Sequence, residues 1–172
     1  GAYIGYPSNA KMMKNKKNDP RPYRPCVGMM LINRNKRVFV AKRIDTRGSH
    51  WQMPQGGIED GETPVEAAFR ELNEEIGTNN VELIAECPDW FSYDLPYHIS
   101  KKVWQGRYRG QKQKWCAFSF LGTDSDIDIQ TRSPEFSDWR WAEAQQLPKL
   151  IVPFKKDVYE RVIGIFQPLL VE

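Results

Sequence analysis

A glycine-rich loop that runs into a helix, between Gly56 and Gly77, constrains the fold of this chain more than any other segment. Thr63 is a typical N-cap, Pro64 suits the first helical position, and Glu66 completes a Thr-x-x-Glu capping box. A glycine at position 77 favours a helix end there. The sequence therefore predicts a helix bounded at both ends, directly after a loop whose backbone can approach other groups closely.

The predicted helix carries an apolar face and an acidic face. Apolar residues recur at helical spacing, which predicts one buried stripe: Val65, Ala68, Phe69, Leu72 and Ile76. Glu71, Glu74 and Glu75 stand at i, i+3 and i+4, so they share a face that points away from the core, toward the loop. Like charges at these spacings repel by roughly 0.2–0.5 kcal/mol per pair. A hard divalent cation with oxygen ligands would offset this repulsion, so the pattern predicts a metal site.

A solvated helix face is the alternative interpretation of these glutamates alone, because Arg70 and Glu74 stand at the spacing of an intrahelical ion pair. The longer string is far more specific. It resembles the Nudix signature, Gly-x5-Glu-x7-Arg-Glu-U-x-Glu-Glu-x-Gly-U with U aliphatic, and meets eight of its nine positions: Gly56, Glu62, Arg70, Glu71, Leu72, Glu74, Glu75 and Gly77. Thr78 stands where the signature has an aliphatic residue, and we expect it to pack at the helix exit.

The Nudix resemblance implies an α/β fold, namely an α/β/α sandwich with a mixed β-sheet between helices. It also implies a hydrolase of phosphoanhydride bonds that uses Mg²⁺, or Mn²⁺ or another divalent cation. Residues at the positions of Glu71, Glu74 and Glu75 bind the metals in such enzymes, and one of them often assists as base. The residue matching Arg70 usually orients these carboxylates. A loop carbonyl at Gly56 could add a metal ligand, because glycine lets the backbone come close.

Further strings resemble one branch of this family, the bacterial RNA pyrophosphohydrolases. The branch also includes dinucleoside-polyphosphate hydrolases and the invasion-associated proteins of intracellular bacteria. The matching strings are spread over most of residues 21–166: Tyr23–Pro25, Trp51–Gly57, Gly110–Trp115, Pro134–Phe136 and Phe154–Tyr159.

The branch resemblance implies roles for residues outside the signature. Glu135 resembles an additional catalytic carboxylate that acts as metal ligand or water activator, although a loop glutamate by itself is more often solvated. Arg43 and Phe154 match positions that contact a nucleotide base. Arg24 and Lys155 match basic positions near the phosphates. Without the resemblance, Phe154 is equally typical of a buried residue at a helix start.

A basic and aromatic segment lies between Leu95 and Thr123, where no acidic residue occurs. Its cations and rings are interleaved: Lys101, Lys102, Trp104, Arg107, Tyr108, Arg109, Lys112, Lys114 and Trp115. Cations neutralise phosphates and rings stack on bases, so the segment is compatible with nucleotide or RNA binding. A solvated basic loop with Trp115 in the core is the alternative. Lys112, which also matches a phosphate position of the branch, and Lys114 alternate with glutamines. An extended chain would project both lysines to one side, as in a phosphate-lined groove.

Composition and cysteine spacing limit the class of protein to which this chain can belong. With 172 residues, 40% of them hydrophobic and 27% charged, the chain fits one soluble globular domain. Cys26, Cys87 and Cys116 show no CxxC spacing, which argues for reduced thiols in the cytoplasm and against a disulfide framework or a zinc site. The longest strongly apolar run, residues 27–32, is too short to span a membrane.

Patterning along the chain predicts the domain organisation. Residues 1–20 contain lysines but no apolar signal segment, so we predict a mobile tail, partly tag-derived, before a hydrolase domain over residues 21–172. Within this domain we expect five strands and one further helix: strands at Cys26–Ile32, Arg37–Lys42, Val81–Cys87, Trp115–Leu121 and Trp139–Ala142, and a helix at Lys155–Phe166. That helix would bury Val158, Val162 and Ile165 on one face.

The predicted activity is metal-dependent hydrolysis of phosphoanhydride bonds. Its expected substrates are 5′-triphosphorylated RNA ends, dinucleoside polyphosphates such as Ap4A, or both. One alternative is a pyrophosphatase of other small nucleotides. Another is an RNA- or nucleotide-binding module without catalysis, which the complete acidic set argues against. No membrane attachment and no obligate protein partner are expected.

Overall fold

The computed structural model describes residues 18–45 and 48–171 of the chain. The predicted tail lies outside the described residues up to position 17. Next to it, the Asp19 carboxylate accepts a hydrogen bond from Arg21 Nη2 at 2.8 Å, and the Asp19 carbonyl accepts one from Arg109 Nη1 at 2.9 Å. These contacts fix Asp19 beside the start of the sheet.

Six strands form one sheet within the described residues: β1 (Tyr23–Ile32), β2 (Val38–Arg43), β3 (Gln55–Gly57), β4 (Val81–Asp94), β5 (Gly110–Phe120) and β6 (Phe136–Ala142). Every strand that the sequence predicts is present, and the glycine loop adds β3. β4 and β5 extend beyond their predicted bounds because they pair with each other as far as Asp94 and Gly110. Backbone hydrogen bonds do not depend on side-chain polarity, so polar residues continue both strands.

The sheet is mixed, as predicted, with the strand order β4-β5-β1-β2-β6 and with β3 paired to β1. β1 and β5 run parallel over ten paired residues, whereas the other pairings are antiparallel. This register sets Arg24 beside Gln111 and Cys26 beside Gln113. β3 pairs with the same end of β1, so polar residues from three strands meet there.

Four α-helices fall within the described residues: α1 (Pro64–Ile76), α2 (Tyr97–Ser100), α3 (Leu147–Leu150) and α4 (Lys156–Phe166). α1 is the predicted capped helix, in which Thr63 Oγ1 accepts from Glu66 N at 3.2 Å and Glu66 Oε1 accepts from Thr63 N at 3.3 Å. Gly77 ends it at φ 69°, a left-handed conformation that favours glycine. Thr78 is buried at the helix exit, as expected.

An apolar core on each face of the sheet confirms the predicted α/β/α sandwich. One core joins α1 to the sheet through Ala67, Ala68, Leu72 and Ile76. The other joins α3 and α4 to it through Leu147, Val158, Tyr159, Val162 and Phe166. No helix among residues 18–45 and 48–171 is long and apolar enough to span a bilayer.

Two residues predicted to be buried lie at the rim of these cores. Phe69 is 37% exposed and meets Phe118 edge-on, with 5.1 Å between ring centres. Ala67 takes its place in the core, and this small side chain lets the helix approach the sheet closely. Ile165 is 40% exposed, and Phe166 is buried instead. The helical period predicts the direction of each stripe, but contact with the sheet decides which flanking residue is covered.

Candidate active site

The three signature glutamates of α1 differ in their exposure. Glu71 and Glu75 are buried, at 9% and 2% exposure, whereas the side chain of Glu74 is 58% exposed. Glu71 faces the loop, as predicted, because a Cβ added at Gly56 would overlap its carboxylate. Glu75 is buried beside Glu135 and Glu71, so the fold encloses part of the acidic face while Glu74 stays exposed.

Arg70 joins the glycine loop to the acidic face of α1. Its Nε and Nη2 donate to the two carboxylate oxygens of Glu62 at 2.7 and 2.9 Å. Nη2 also donates to the carbonyl of Gly57 at 2.9 Å, and Nη1 donates to Glu71 at 2.9 Å and to Glu74 at 3.2 Å. The hydrogen bond from Arg70 lowers the pKa of Glu62 to about 2. Arg70 thus has the contacts that an orienting residue needs.

Glu135 reaches the same place from the other side of the fold. It precedes β6, and its carbonyl accepts a hydrogen bond from Ile44 N at 2.8 Å just beyond β2. Its carboxyl lies within hydrogen-bonding reach of Glu75 and within electrostatic range of Glu71. The structure therefore places Glu135 near Glu71 and Glu75, while Arg70 links Glu71 to Glu74 and Glu71 lies beside the backbone of Gly56.

Burial controls the ionisation of this cluster. Burial raises the pKa of Glu71 to about 7, against the opposing effect of its hydrogen bond to Arg70. For Glu75, burial together with the adjacent Glu135 raises the pKa well above its ordinary value. Glu75 Oε2 is buried and has no hydrogen-bond partner among the described residues. Buried carboxylates of this kind require either protons or a cation.

The donor set fits a divalent cation. Carboxylate oxygens are the ligands that Mg²⁺ and Mn²⁺ prefer, and an unpartnered buried oxygen is available on Glu75. Within residues 18–45 and 48–171, however, no three acidic, histidine or cysteine side chains are already arranged as a ligand set. Arg70 explains part of this, since its Nη1 occupies oxygens of both Glu71 and Glu74. A bound cation would require these carboxylates to converge further.

A network of buried amides lies next to the acidic cluster. Gln55 Nε2 donates to Gln111 Oε1 at 3.1 Å, and Gln113 Nε2 donates to Gln55 Oε1 at 2.9 Å. The hydroxyl of Tyr93 donates to Gln111 Oε1 as well. We did not predict this network, although β5 carries the signal. Gln111 and Gln113 precede buried Trp115 by four and two residues, so all three side chains lie on the same face of the strand.

Lys155 is a buried cation at the end of this network, at 8% exposure. Its Nζ donates to Gln55 Oε1 at 3.3 Å and lies 5.3 Å from the ring centre of Tyr93. Burial, followed by the charge of Arg43, lowers the pKa of Lys155 to about 7. Phe154 packs beside it, with 6.0 Å between its ring centre and that of Tyr93. Three predicted substrate residues, Arg43, Phe154 and Lys155, therefore lie close together.

Lys112 and Lys114 project on one side of β5, as predicted, but the alternating glutamines face Gln55 instead. Both lysine Nζ atoms lie near the ring of Trp90, at 5.4 and 5.8 Å from its centre. Lys114 Nζ also donates to the carbonyl of Pro88 at 2.8 Å. Contact between these two lysines and a phosphate stays a prediction. It would require a ligand that extends to the outer face of β5.

The fold and the site together define the class of protein. The family model described as the NUDIX domain matches residues 22–162, which is most of the chain. The chain therefore belongs to the Nudix hydrolase family. Two solved structures illustrate the shared fold. The dihydroneopterin triphosphate pyrophosphohydrolase of E. coli has a TM-score of 0.63 at 21% identity, over 84% of this chain and 99% of that one. The Ap4A hydrolase of C. elegans has a TM-score of 0.61 at 18% identity, over 83% and 98%.

Relatives at higher identity lie within one branch of the family. The chain is 51% identical to the RNA pyrophosphohydrolase of Rickettsia bellii over 156 residues, covering 91% of this chain and 97% of that protein. It is 56% identical to the RNA pyrophosphohydrolase of Roseobacter denitrificans over 148 residues, covering 85% and 92%. The resemblance that the sequence motifs carry is confirmed.

Proposed function

We propose that this Nudix hydrolase removes pyrophosphate from 5′-triphosphorylated RNA with the help of Mg²⁺ or Mn²⁺, and that it also splits dinucleoside polyphosphates such as Ap4A. The observation that carries the proposal is that buried acidic side chains and a buried amine both lie against the short strand β3. Glu71, with Glu75 near it, lies against Gly56 of this strand, and Lys155 Nζ donates to Oε1 of the neighbouring Gln55 at 3.3 Å. A polyphosphate with its metal ions complements both the acidic and the basic groups.

The acidic groups would hold the metal. Glu71, Glu74, Glu75 and Glu135 would supply carboxylate oxygens for it, and we propose the carbonyl of Gly56 as a further ligand. The bound cation would neutralise phosphate oxygens and acidify a water molecule. Arg70 holds Glu71 in place through its hydrogen bond of 2.9 Å. Glu75 and Glu135, which lie next to each other, are the candidates to accept the proton from water.

The basic groups would bind the substrate. Lys155 is desolvated, so an incoming phosphate oxygen would interact with it more strongly than with a surface lysine. Arg43 is held by Asp45 and adds a second positive charge beside it. The ring of Phe154 offers an apolar surface for a nucleotide base. We propose Arg24 as a further phosphate contact, and Lys112 and Lys114 as contacts for a longer RNA.

A direct assay tests the proposal. Triphosphorylated RNA and Ap4A are each incubated with the protein and Mg²⁺ or Mn²⁺, and the products are separated by chromatography. We expect pyrophosphate and monophosphorylated RNA from the first substrate, with no product when a chelator is present. Competition by nucleoside triphosphates and nucleotide sugars tests the alternative of a small-nucleotide pyrophosphatase. Preferential hydrolysis of these competitors would overturn the assignment to RNA.

We also propose that the enzyme acts in the cytoplasm. Cys26, Cys87 and Cys116 are all free and buried, which agrees with the reduced thiols predicted from their spacing. Fractionation of cells that produce the native protein, followed by immunoblotting, would check this location.

A further inference from the structure

A basic and aromatic surface begins at the edge of the site and leads away from it. It is formed by residues 97–109, which include α2 and a short 3-10 helix at Val103–Gly106. Its rings are Tyr97, Trp104 and Tyr108, and its cations are Lys101, Lys102 and Arg107. We call it the 97–109 surface.

Arg24 connects the active site to this surface. Its guanidinium lies against the backbone of Gly57, where an added Cβ would overlap it, and stands 5.0 Å from the ring centre of Trp104. The carbonyl of Gly57 accepts the hydrogen bond from Arg70. Arg24 forms no ion pair with any carboxylate of the described residues, so its charge is available to a ligand.

The backbone around Trp104 adopts a conformation that is rare for side-chain-bearing residues. Trp104 and Gln105 have φ of 49° and 60°, and Gly106 follows at 70°. Two hydrogen bonds hold the segment, from Arg107 N to the Trp104 carbonyl at 3.2 Å and from Arg21 Nη1 to the Gly106 carbonyl at 3.2 Å. Strain of this kind persists only where the surroundings impose it. Here it sets the Trp104 ring against Arg24.

Tyr97 offers a second ring, and it is 47% exposed. Arg21 and Lys101 flank it, at 5.5 and 6.0 Å from its ring centre. Arg21 also donates to the hydroxyl of Ser100 at 2.9 Å, which ties this ring to the same segment as Trp104. An exposed ring between cations is the arrangement on which unpaired bases stack while their phosphates are neutralised.

Three cations of the 97–109 surface, Lys101, Lys102 and Arg107, face solvent. None of them pairs with a carboxylate among the described residues. Acidic residues are absent from the sequence between Leu95 and Thr123. We propose that this surface binds the single-stranded RNA that follows the 5′ nucleotide, an inference that rests on the proposed function. The surface recognises this RNA by stacking on its bases and by attraction to its phosphates, so binding does not depend on base sequence.

Binding without catalysis tests this inference separately from the proposed function. The probe is a 5′-hydroxyl single-stranded RNA of about 12 nucleotides, followed by fluorescence anisotropy. We expect Lys102→Glu with Arg107→Glu to raise Kd about 5-fold or more and to flatten its salt dependence. The matched control is Arg34→Glu with Arg37→Glu, an equal charge change in exposed residues at the far end of β1. Equal losses from both pairs would mean general electrostatic attraction and would overturn the inference.

The exposed ring gives a second test that does not depend on net charge. Tyr97→Ala should raise Kd for the same RNA about 5-fold, whereas Tyr97→Phe keeps the stacking surface and should bind as the parent does. Hydrolysis gives a further readout: kcat/KM is measured for a triphosphorylated RNA of about 12 nucleotides and for a triphosphorylated dinucleotide. The ratio of the first value to the second should be lower in Tyr97→Ala than in the parent. Unchanged binding in both the Tyr97→Ala and the charge-reversed variants would refute the docking surface while leaving the hydrolase assignment intact.

Discussion

Arg70 donates two parallel hydrogen bonds to the carboxylate of Glu62, from Nε at 2.7 Å and from Nη2 at 2.9 Å. The fork geometry of the guanidinium matches the carboxylate, which fixes both groups relative to each other. Because the remaining nitrogen of Arg70 holds Glu71 and Glu74, the loop residue Glu62 sets the position of the acidic face. Glu62 therefore acts, through Arg70, on two of the carboxylates proposed to hold the metal.

Replacing Arg70 by lysine should impair the site without abolishing the charge. Lysine cannot bind Glu62, Glu71 and the Gly57 carbonyl at once, so we expect kcat/KM and metal affinity to fall by about 10–100-fold. Steady-state kinetics over a Mg²⁺ titration measures both effects. Glu62→Gln should act through the same contact, so the double variant should lose little more than the worse single variant. Fully additive losses would contradict a shared role.

Gly56→Ala should displace the Glu71 carboxylate, because the new Cβ would overlap it. We expect kcat to fall roughly 100-fold, since small displacements of catalytic groups have such effects, and stability to fall by about 1–3 kcal/mol. Gly164→Ala is the control, because a Cβ at this position in α4 meets nothing within 4 Å. It should stabilise the protein by about 0.5–1 kcal/mol at unchanged activity. Denaturant unfolding and turnover measurements separate the two variants.

Glu75→Gln should separate metal binding from folding. The variant loses a buried carboxylate with an unpartnered oxygen, so we expect kcat to fall roughly 100-fold or more while the fold persists. The parent should be stabilised against heat by Mg²⁺ or Mn²⁺, and the variant should show a much smaller shift. Glu66→Gln lies on the same helix and keeps its capping box, so it should change neither property. A full metal-induced shift in Glu75→Gln would show that the site is misassigned.

Lys155 predicts how stability depends on pH. Its pKa is lowered from 10.5 to about 7 in the folded protein, so the unfolded chain binds more protons between these values. Stability from this group therefore rises with pH across that window and is least below pH 7. Lys155→Met should flatten the rise and stabilise the protein below pH 7 by roughly 1 kcal/mol or more. Urea unfolding at both ends of the window measures this, and an unchanged slope would contradict it.

The same substitution should weaken substrate binding, since Lys155 would contact a phosphate. In the parent, KM for triphosphorylated RNA should rise as pH increases beyond about 7, because the amine loses its proton. Lys155→Met should have a higher KM that varies less with pH in this range. Lys149→Met, an exposed lysine on α3, is the matched control and should leave the pH profile of KM as it is in the parent.

Local features were accessible from the sequence because they depend on neighbours in the chain. The capping box of Thr63 and Glu66, the stop at Gly77 and the shared side of Lys112 and Lys114 follow from helical and strand periods. The burial of Thr78 followed from its place at the helix exit. Where two flanking residues compete for one core position, as Phe69 and Ala67 do, the period cannot choose between them.

Contacts between distant segments required the tertiary structure. The sequence by itself determined that Glu71, Glu74 and Glu75 share a helix face beside a glycine loop, because that relationship is contained in one helix. Only the fold could bury Glu75 against Glu135, align the glutamines of β5 with Gln55, and enclose the amine of Lys155. These arrangements depend on strand register and on packing across the sheet, which join residues far apart in the chain. Burial then sets the pKa values of the site, and no local pattern contains that information.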